Sequence, residues 1–291
     1  MKDIVIFSCC QAIPLIKMLE KHPLVPKDFV VTHIQAHEAV KNKEISDEDR
    51  EKIKNCDIFI YQPLQTQFDS EYLYEHVSKI LKPEVRQIVL PMYRFKGFWP
   101  DLLPGPYKQF KEYTFDEVNE FGGLHESFRF YVSTSRDSIK KKLDSIDYDH
   151  QYYDSFYSEK MQELKLSCDM ADELNMWDFI EDKIKHTHLF HDYLHPTNIF
   201  FYELFRRLVR AVWEVELAEE DEEFLKKCEE HDLTQWAQPI IPSIKKRLDM
   251  TTPDIIPVFV GDQKMYMDVY DYYYIRILPD NFINFLKQKN V

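Results

Sequence analysis

The stretch Lys2-Asp-Ile-Val-Ile-Phe-Ser-Cys-Cys-Gln-Ala-Ile-Pro-Leu-Ile16 decides the fold of this chain. The apolar run 4–7 reads as a strand, and it leads through two cysteines into a helical pattern over 12–21. Pro14 falls in the first turn of that helix, where a missing N–H is tolerated. A thiol at a strand-to-helix junction sits near the positive end of the helix, which stabilises a thiolate. Many α/β proteins keep a nucleophile or an anion site at the C-terminal end of the first strand. The competing reading is a buried strand end with two inert cysteines, since free cysteine is among the most buried residue types.

The alternation continues outward from this stretch. Residues 29–34, 57–62 and 87–90 read as further strands. Ser46 opens an acidic first turn and caps one intervening helix. Asp69 caps another, in which Leu73, His76, Val77, Ile80 and Leu81 share a face. Strands separated by single helices require crossovers and therefore a parallel sheet, whose C-terminal edge should carry the site.

Beyond Pro91 the texture changes. Residues 92–107 are rich in aromatics, Pro and Gly and read as a long ordered loop. Thr114-Phe-Asp-Glu has capping-box spacing. Residues 155–185 read as helical, and so does 196–217, with Pro196 at its first position and His195 as its N-cap. A charged helix is expected over 219–231, β-like runs over 255–277 around a Gly261-Asp262 hairpin, and a last helix over 281–289. The expected fold is α/β: a small parallel sheet in the N-terminal half and a largely helical C-terminal half. The domain reading is residues 1–110 for the sheet region and 111–291 for the helical region, sharing one core.

Of the 291 residues, 44% are hydrophobic and 15% aromatic, enough to build a core. The net charge of -14 argues against nucleic-acid binding, which needs a basic face. Five cysteines at irregular spacing make a disulfide framework a poor reading and a reducing compartment a better one. The N-terminal apolar run is too short for a signal peptide. No apolar run approaches the ~18 residues of a membrane span. The chain reads as cytoplasmic, with no integral membrane segment.

Four segments carry candidate chemistry. The first holds Cys10. The second is His186-Thr-His-Leu-Phe-His-Asp-Tyr-Leu-His-Pro-Thr-Asn198. His195 at a helix N-cap should stay neutral and act as a base, with Asp192 three residues earlier to orient it. Cys, His and acid, distant in sequence and close in space, form the usual device for activating a thiol in acyl transfer. The same histidines suit an ordered loop, or a metal site. In the third segment Gln62 follows a strand and could hold an oxyanion or ligand at the edge that carries Cys10, or cap backbone groups there. The fourth, 91–101, offers aromatics for a pocket and Arg94 or Lys96 for phosphate, or simply covers a core.

Ser8-Cys9-Cys10-Gln11, Tyr61-Gln62-Pro63-Leu64, Gly97-Phe98-Trp99-Pro100-Asp101 and His195-Pro196-Thr197 together resemble, in order, the pattern of WcbI-type polysaccharide biosynthesis acetyltransferases. The resemblance covers roughly residues 3–210. It implies binding of coenzyme A or acetyl-CoA, and acyl transfer to a sugar of a capsular or surface polysaccharide. It places the family cysteine on Cys10, its glutamine on Gln11 and its histidine on His195. Ser8 and Cys9 stand where the family usually has Gly-Asn. The expected catalytic set is Cys10, His195 and Asp192, with Asp101 as another acid. The cofactor-binding set is Ser8, Cys9, Gln11, Gln62, Arg94 and Lys96, and no metal is expected. The Asp-x-x-His spacing is also similar to the last block of SGNH-type hydrolases, so a cysteine-based thioesterase or esterase is an alternative. A non-catalytic coenzyme A or sugar-binding protein is another.

Overall fold

The computed structural model describes residues 2–36, 39, 45–63, 77–100, 135–146, 148, 150–219, 221–228, 237–260 and 263–277. Of the helix expected from Asp69 only the end, 77–80, is described, and it is helical; Asp69 itself, the capping box at Thr114, the last helix over 281–289, Asp101 and the 110/111 boundary lie outside the described residues. The chain divides into two compact units. The first comprises Met1–Arg94, Glu163–Asp182 and His195–Leu233, and the second Phe95–Gln162, Lys183–Leu194 and Thr234–Val291.

The first unit holds a parallel sheet of β1 (Lys2–Ser8), β2 (Phe29–Gln35), β3 (Ile58–Tyr61) and β4 (Arg86–Val89), in the order β2-β1-β3-β4. Each strand lies within two residues of its expected position. β1 pairs with β2 from Lys2↔Phe29 to Ser8↔Gln35 and with β3 from Ile4↔Ile58 to Phe7↔Tyr61. All four residues of the run 4–7 are buried, as a central parallel strand covered on both faces requires. Val5, Phe7 and Phe59 pack on one face against Ile34, Ile45, Ile53, Val77 and Val85. Ile4, Ile6, Ile58 and Ile60 fall on the other, because side chains alternate along a strand.

Helix α1 (Ala12–Lys21) occupies its expected span and buries Ala12, Leu15, Met18 and Leu19. Helix α2 (Asp47–Asn55) starts as the sequence implies: Ser46 Oγ accepts the N–H of Asp49 at 3.1 Å. The helical stretch expected over 155–185 is two helices, α4 (His150–Cys168) and α5 (Trp177–Lys183), preceded by α3 (Arg136–Asp144). Asn175 separates them: its Oδ1 accepts the N–H of Trp177 at 2.9 Å, which starts a new helix.

Helix α6 (Asn198–Trp213) corrects the reading of its N-terminus. Thr197, with extended backbone, is the N-cap, and His195 stands two residues before it. Thr197 and not His195 takes the N-cap place, so the cap-based argument for a neutral His195 does not hold. The C-terminus falls short of residue 217 because Glu214 turns left-handed at φ 58°, and its N–H closes on the Arg210 carbonyl at 2.9 Å. Helix α7 (Glu222–Cys228) is the charged helix.

In the second unit, helix α8 (Pro242–Arg247) precedes β5 (Ile256–Val260) and β6 (Gln263–Met267), which pair antiparallel as the expected hairpin. The β-like reading fails beyond Met267, where α9 (Val269–Ile277) forms. Asp268 Oδ1 accepts the N–H of Asp271 at 2.8 Å, a helix-starting contact. Arg136 binds both carboxylates, at 2.6 Å to Asp268 and 2.5 Å to Asp271. Local β propensity yields to this capped, ion-paired start.

Phe95, Phe98 and Trp99 are buried in the same unit. Phe95 meets Phe98 edge-on at 4.8 Å and Phe190 at 5.6 Å. The loop expected either to line a pocket or to cover a core therefore packs as core here. A Cβ on Gly97 would lie 2.4 Å from the Phe95 ring, so only glycine lets the backbone approach that ring.

Candidate functional site

Strand order decides where the site sits. The chain leaves β1 for β2 on one side and returns to β3 on the other. The crevice outside the carboxyl ends of β1 and β3 is therefore the topological switch point of the sheet. Cys9, Cys10 and Gln11 follow β1, Gln62 follows β3, and Pro91 to Arg94 follow β4. His195 belongs to the same unit.

The two glutamines build a buried lattice there. Gln62 Oε1 accepts the N–H of Cys9 at 3.0 Å. Its Nε2 donates to Gln11 Oε1 at 3.1 Å and to the Pro91 carbonyl at 3.3 Å. Gln11 Nε2 donates to the Tyr93 carbonyl at 2.8 Å, and its Oε1 accepts the Tyr93 N–H at 3.3 Å. These bonds tie the ends of β1, β3 and β4 together. Both N–H groups of the Gln62 amide are spent inside the protein. The side chain holds the Cys9 backbone, a positioning part that the sequence left open as backbone capping. Pro91 and Tyr93 enter this lattice through their backbone, which no side-chain pattern could announce.

Cys10 stands half-buried in the turn between β1 and α1. Its sulfur hydrogen-bonds to Cys9 and to His195. Those two contacts, in that order, and the His195 charge outweigh burial and pull its pKa down to about 4. The same pairing drives the Cys9 thiol far up, despite the N–H of Gln11 at its sulfur and the nearby charge of Arg94. Cys56 is pushed to about 11 and Cys168 to about 12 by burial. Ser8 Oγ donates to the Cys9 carbonyl at 3.2 Å and lies 3.2 Å from His33 Nε2. His33, beside Thr32 inside the β run, carries no site signal in the sequence.

The structure thus gathers Ser8, Cys9, Cys10, Gln11, Gln62, Arg94 and His195 in one unit. Asp192 and Lys96 belong to the second. Asp192 is buried, and its Oδ1 accepts the N–H of Leu194 at 2.7 Å. Lys96 is half-buried, and its carbonyl accepts the N–H of Trp99 at 2.8 Å.

The rest of the His-rich loop is tied down within that unit. His186 Nδ1 lies 2.9 Å from Thr251 Oγ1, and the His191 carbonyl accepts the N–H of Gln238 at 2.6 Å. Among the described residues, no three His, Cys, Asp or Glu side chains converge in a metal-binding arrangement. His188 has its Nε2 shut away from solvent. Burial, then His191 and Lys245, push its pKa down to about 3. His22 is lowered too, mainly by burial among Phe205 and Phe224. Both folded pKa values lie below the unfolded value, so the unfolded chain binds more protons as pH falls through about 6.5. Stability is therefore full above that value and declines below it. His188 alone should cost on the order of 2 kcal/mol at about pH 4.5. Urea unfolding across this range checks it. A fall equally steep in His188→Gln would refute the assignment to His188.

A profile of the family described as polysaccharide biosynthesis enzyme WcbI matches residues 3–213. The chain belongs to this family. The match spans the sheet, the Cys10 turn, His195 and α6. A solved structure described as WcbI, a novel polysaccharide biosynthesis enzyme, superposes with a TM-score of 0.58 at 16% identity. The superposition covers 95% of this chain and 88% of that one. That WcbI protein is described as native, without a disulfide bond between coenzyme A and one of its cysteines. At this identity the likeness shows the fold: a parallel sheet in the N-terminal half, with helices mostly in the C-terminal half. The laminin-binding protein of Streptococcus agalactiae, an adhesin with metal-transporting activity, aligns at 12% identity over 95% of this chain and 99% of that one. Its TM-score of 0.22 is too low for a shared fold. Among curated proteins no sequence match is found. No described helix of this WcbI-family chain is long and apolar enough to cross a membrane.

Proposed function

We propose that this WcbI-family chain is a coenzyme A-dependent O-acyltransferase, moving an acetyl group from acetyl-CoA to a hydroxyl of a capsular or surface polysaccharide precursor. The observation that carries this reading is the Cys10–His195 hydrogen bond at the switch point of the sheet. A thiolate beside a protonated imidazole is a preformed nucleophile with its proton donor attached. The site also fits the donor. Cys10 is partly open, and the Arg94 charge reaches the neighbouring thiol, as an anionic ligand requires. The solved WcbI structure, whose description speaks of coenzyme A and a cysteine, supports the same cofactor.

Cys10 attacks the thioester carbonyl, and His195 gives its proton to the departing thiol. His195, now neutral, takes the proton of the sugar hydroxyl as that oxygen attacks the acyl group. Gln62 and Gln11 hold the turn that carries the thiolate.

Coenzyme A should stabilise the fold. At 100 times Kd, a ligand specific for the native state adds about 2.7 kcal/mol, or about 5 °C in Tm. A thermal titration measures this, and no shift at millimolar coenzyme A would remove the cofactor. Intact-mass spectrometry after mixing with acetyl-CoA then tests the transfer. One added acetyl group is expected, absent in Cys10→Ala and discharged by the sugar acceptor. Discharge to water at the same rate would instead make the chain a thioesterase.

A further inference from the structure

Two strands grip the turn that carries Cys10, one on each side of β1. From β3, Gln62 Oε1 accepts the N–H of Cys9 at 3.0 Å, and the Gln62 amide is itself fixed by Gln11 and the Pro91 carbonyl. From β2 the grip comes through Ser8. His33 pairs in register with Ile6, two residues before Ser8, so the side chains of His33 and Ser8 share a face of the sheet. His33 Nε2 lies 3.2 Å from Ser8 Oγ, and Ser8 Oγ donates to the Cys9 carbonyl at 3.2 Å. The same carbonyl accepts the N–H of Ala12 at 3.3 Å, at the start of α1.

The direction of these bonds follows from the hydrogens available. A carbonyl only accepts, so the single hydrogen of the Ser8 hydroxyl goes to Cys9. The oxygen then has only lone pairs left for His33, whose Nε2 carries the hydrogen and donates. A second Ser–His nucleophile is excluded, because Ser8 is 0% exposed and its hydrogen points at the main chain instead of at an imidazole acting as base. What the contacts reach is the peptide between Cys9 and Cys10. Its C=O and the N–H of Cys10 lie in one plane, so a carbonyl held by Ser8 and Ala12 sets the plane from which the Cys10 side chain departs. Resting on the reading of Cys10 as nucleophile, we propose that Ser8 and His33 are positioning residues: His33 holds the Ser8 hydroxyl against the Cys9 carbonyl and so fixes the peptide that leads into Cys10, keeping its sulfur in reach of His195. Neither side chain touches the reacting atoms, and both act through Cys10.

The test compares steady-state transfer from acetyl-CoA in variants whose circular dichroism is native. Ser8→Ala removes the hydroxyl and should lower kcat by about ten- to a hundredfold, with KM for acetyl-CoA within about twofold, as a misplaced reacting group does. His33→Leu should do the same. His33→Gln keeps an N–H donor and should recover most of the loss. The double variant Ser8→Ala/His33→Leu should be no slower than Ser8→Ala, because both residues act on one hydroxyl, whereas two independent structural losses would multiply. If Ser8→Ala does not fold, the two His33 variants decide alone. An unmoved kcat in Ser8→Ala or His33→Leu overturns the proposal, as does a glutamine variant that behaves like leucine or a double variant that shows both losses in full. Alkylation of Cys10 by iodoacetamide needs no acyl transfer and separates the two readings. In a protein that transfers no acyl group, slower Cys10 labelling in Ser8→Ala and His33→Leu overturns the acyltransferase reading and leaves the positioning role standing, and unmoved labelling overturns both.

Discussion

Near pH 6, a limiting amount of iodoacetamide should label Cys10 and leave Cys56, Cys168 and Cys228 unmodified. The hydrogen bonds to Cys9 and His195 hold the Cys10 thiol well below its ordinary pKa, so it is largely thiolate there. Burial raises Cys56, Cys168 and Cys228, which stay protonated. A low-pKa thiolate is a weaker nucleophile, but that loss is only part of the gain in ionised fraction. Burial widens the gap, since Cys56, Cys168 and Cys228 are 4%, 0% and 1% exposed. Cys9 shares the turn but holds its proton, so it too should lag. Peptide mapping gives the order directly. First labelling of any other cysteine would show that the hydrogen bonds to Cys10 do not set its reactivity.

His195→Ala should lower acyl transfer by ~10²–10⁴ while coenzyme A binding changes little. Two losses add in this variant. The group that takes the sugar proton is gone, and so is one of the two hydrogen bonds holding Cys10 as a thiolate. Loss of a helix cap does not enter, because Thr197 and not His195 is the N-cap of α6. His195→Asn gives a further separation: it can hydrogen-bond to the thiolate but carries no charge and accepts no proton. Release of free coenzyme A from acetyl-CoA with a sugar acceptor measures the transfer, and calorimetry measures binding. If the asparagine variant retains near-normal transfer, His195 is a structural neighbour of Cys10 and the proposed chemistry is wrong.

The sequence by itself determined the elements whose signals are local. The run 4–7, the helix over 12–21, the Ser46 cap and the hairpin around residue 261 were legible because burial period, capping chemistry and turn chemistry act over a few residues. It also carried the motif order that assigns Cys10 and His195 to one family pattern. Tertiary structure decided the rest. β1 lies between β2 and β3, and that order alone makes the Cys10 turn a crevice. The apolar text of 269–277 looks like strand, yet Asp268 and Arg136 make it a helix through a partner far away in the chain. Helix α6 starts at Asn198 and not at Pro196, because Thr197 keeps an extended backbone as its N-cap. Gln11 and Gln62 read as donors for a ligand, but their bonds close on each other and on the backbone of Cys9, Pro91 and Tyr93. A side chain's type is written in the sequence. Its hydrogen-bond partner is not, because that depends on which strand ends the fold sets side by side.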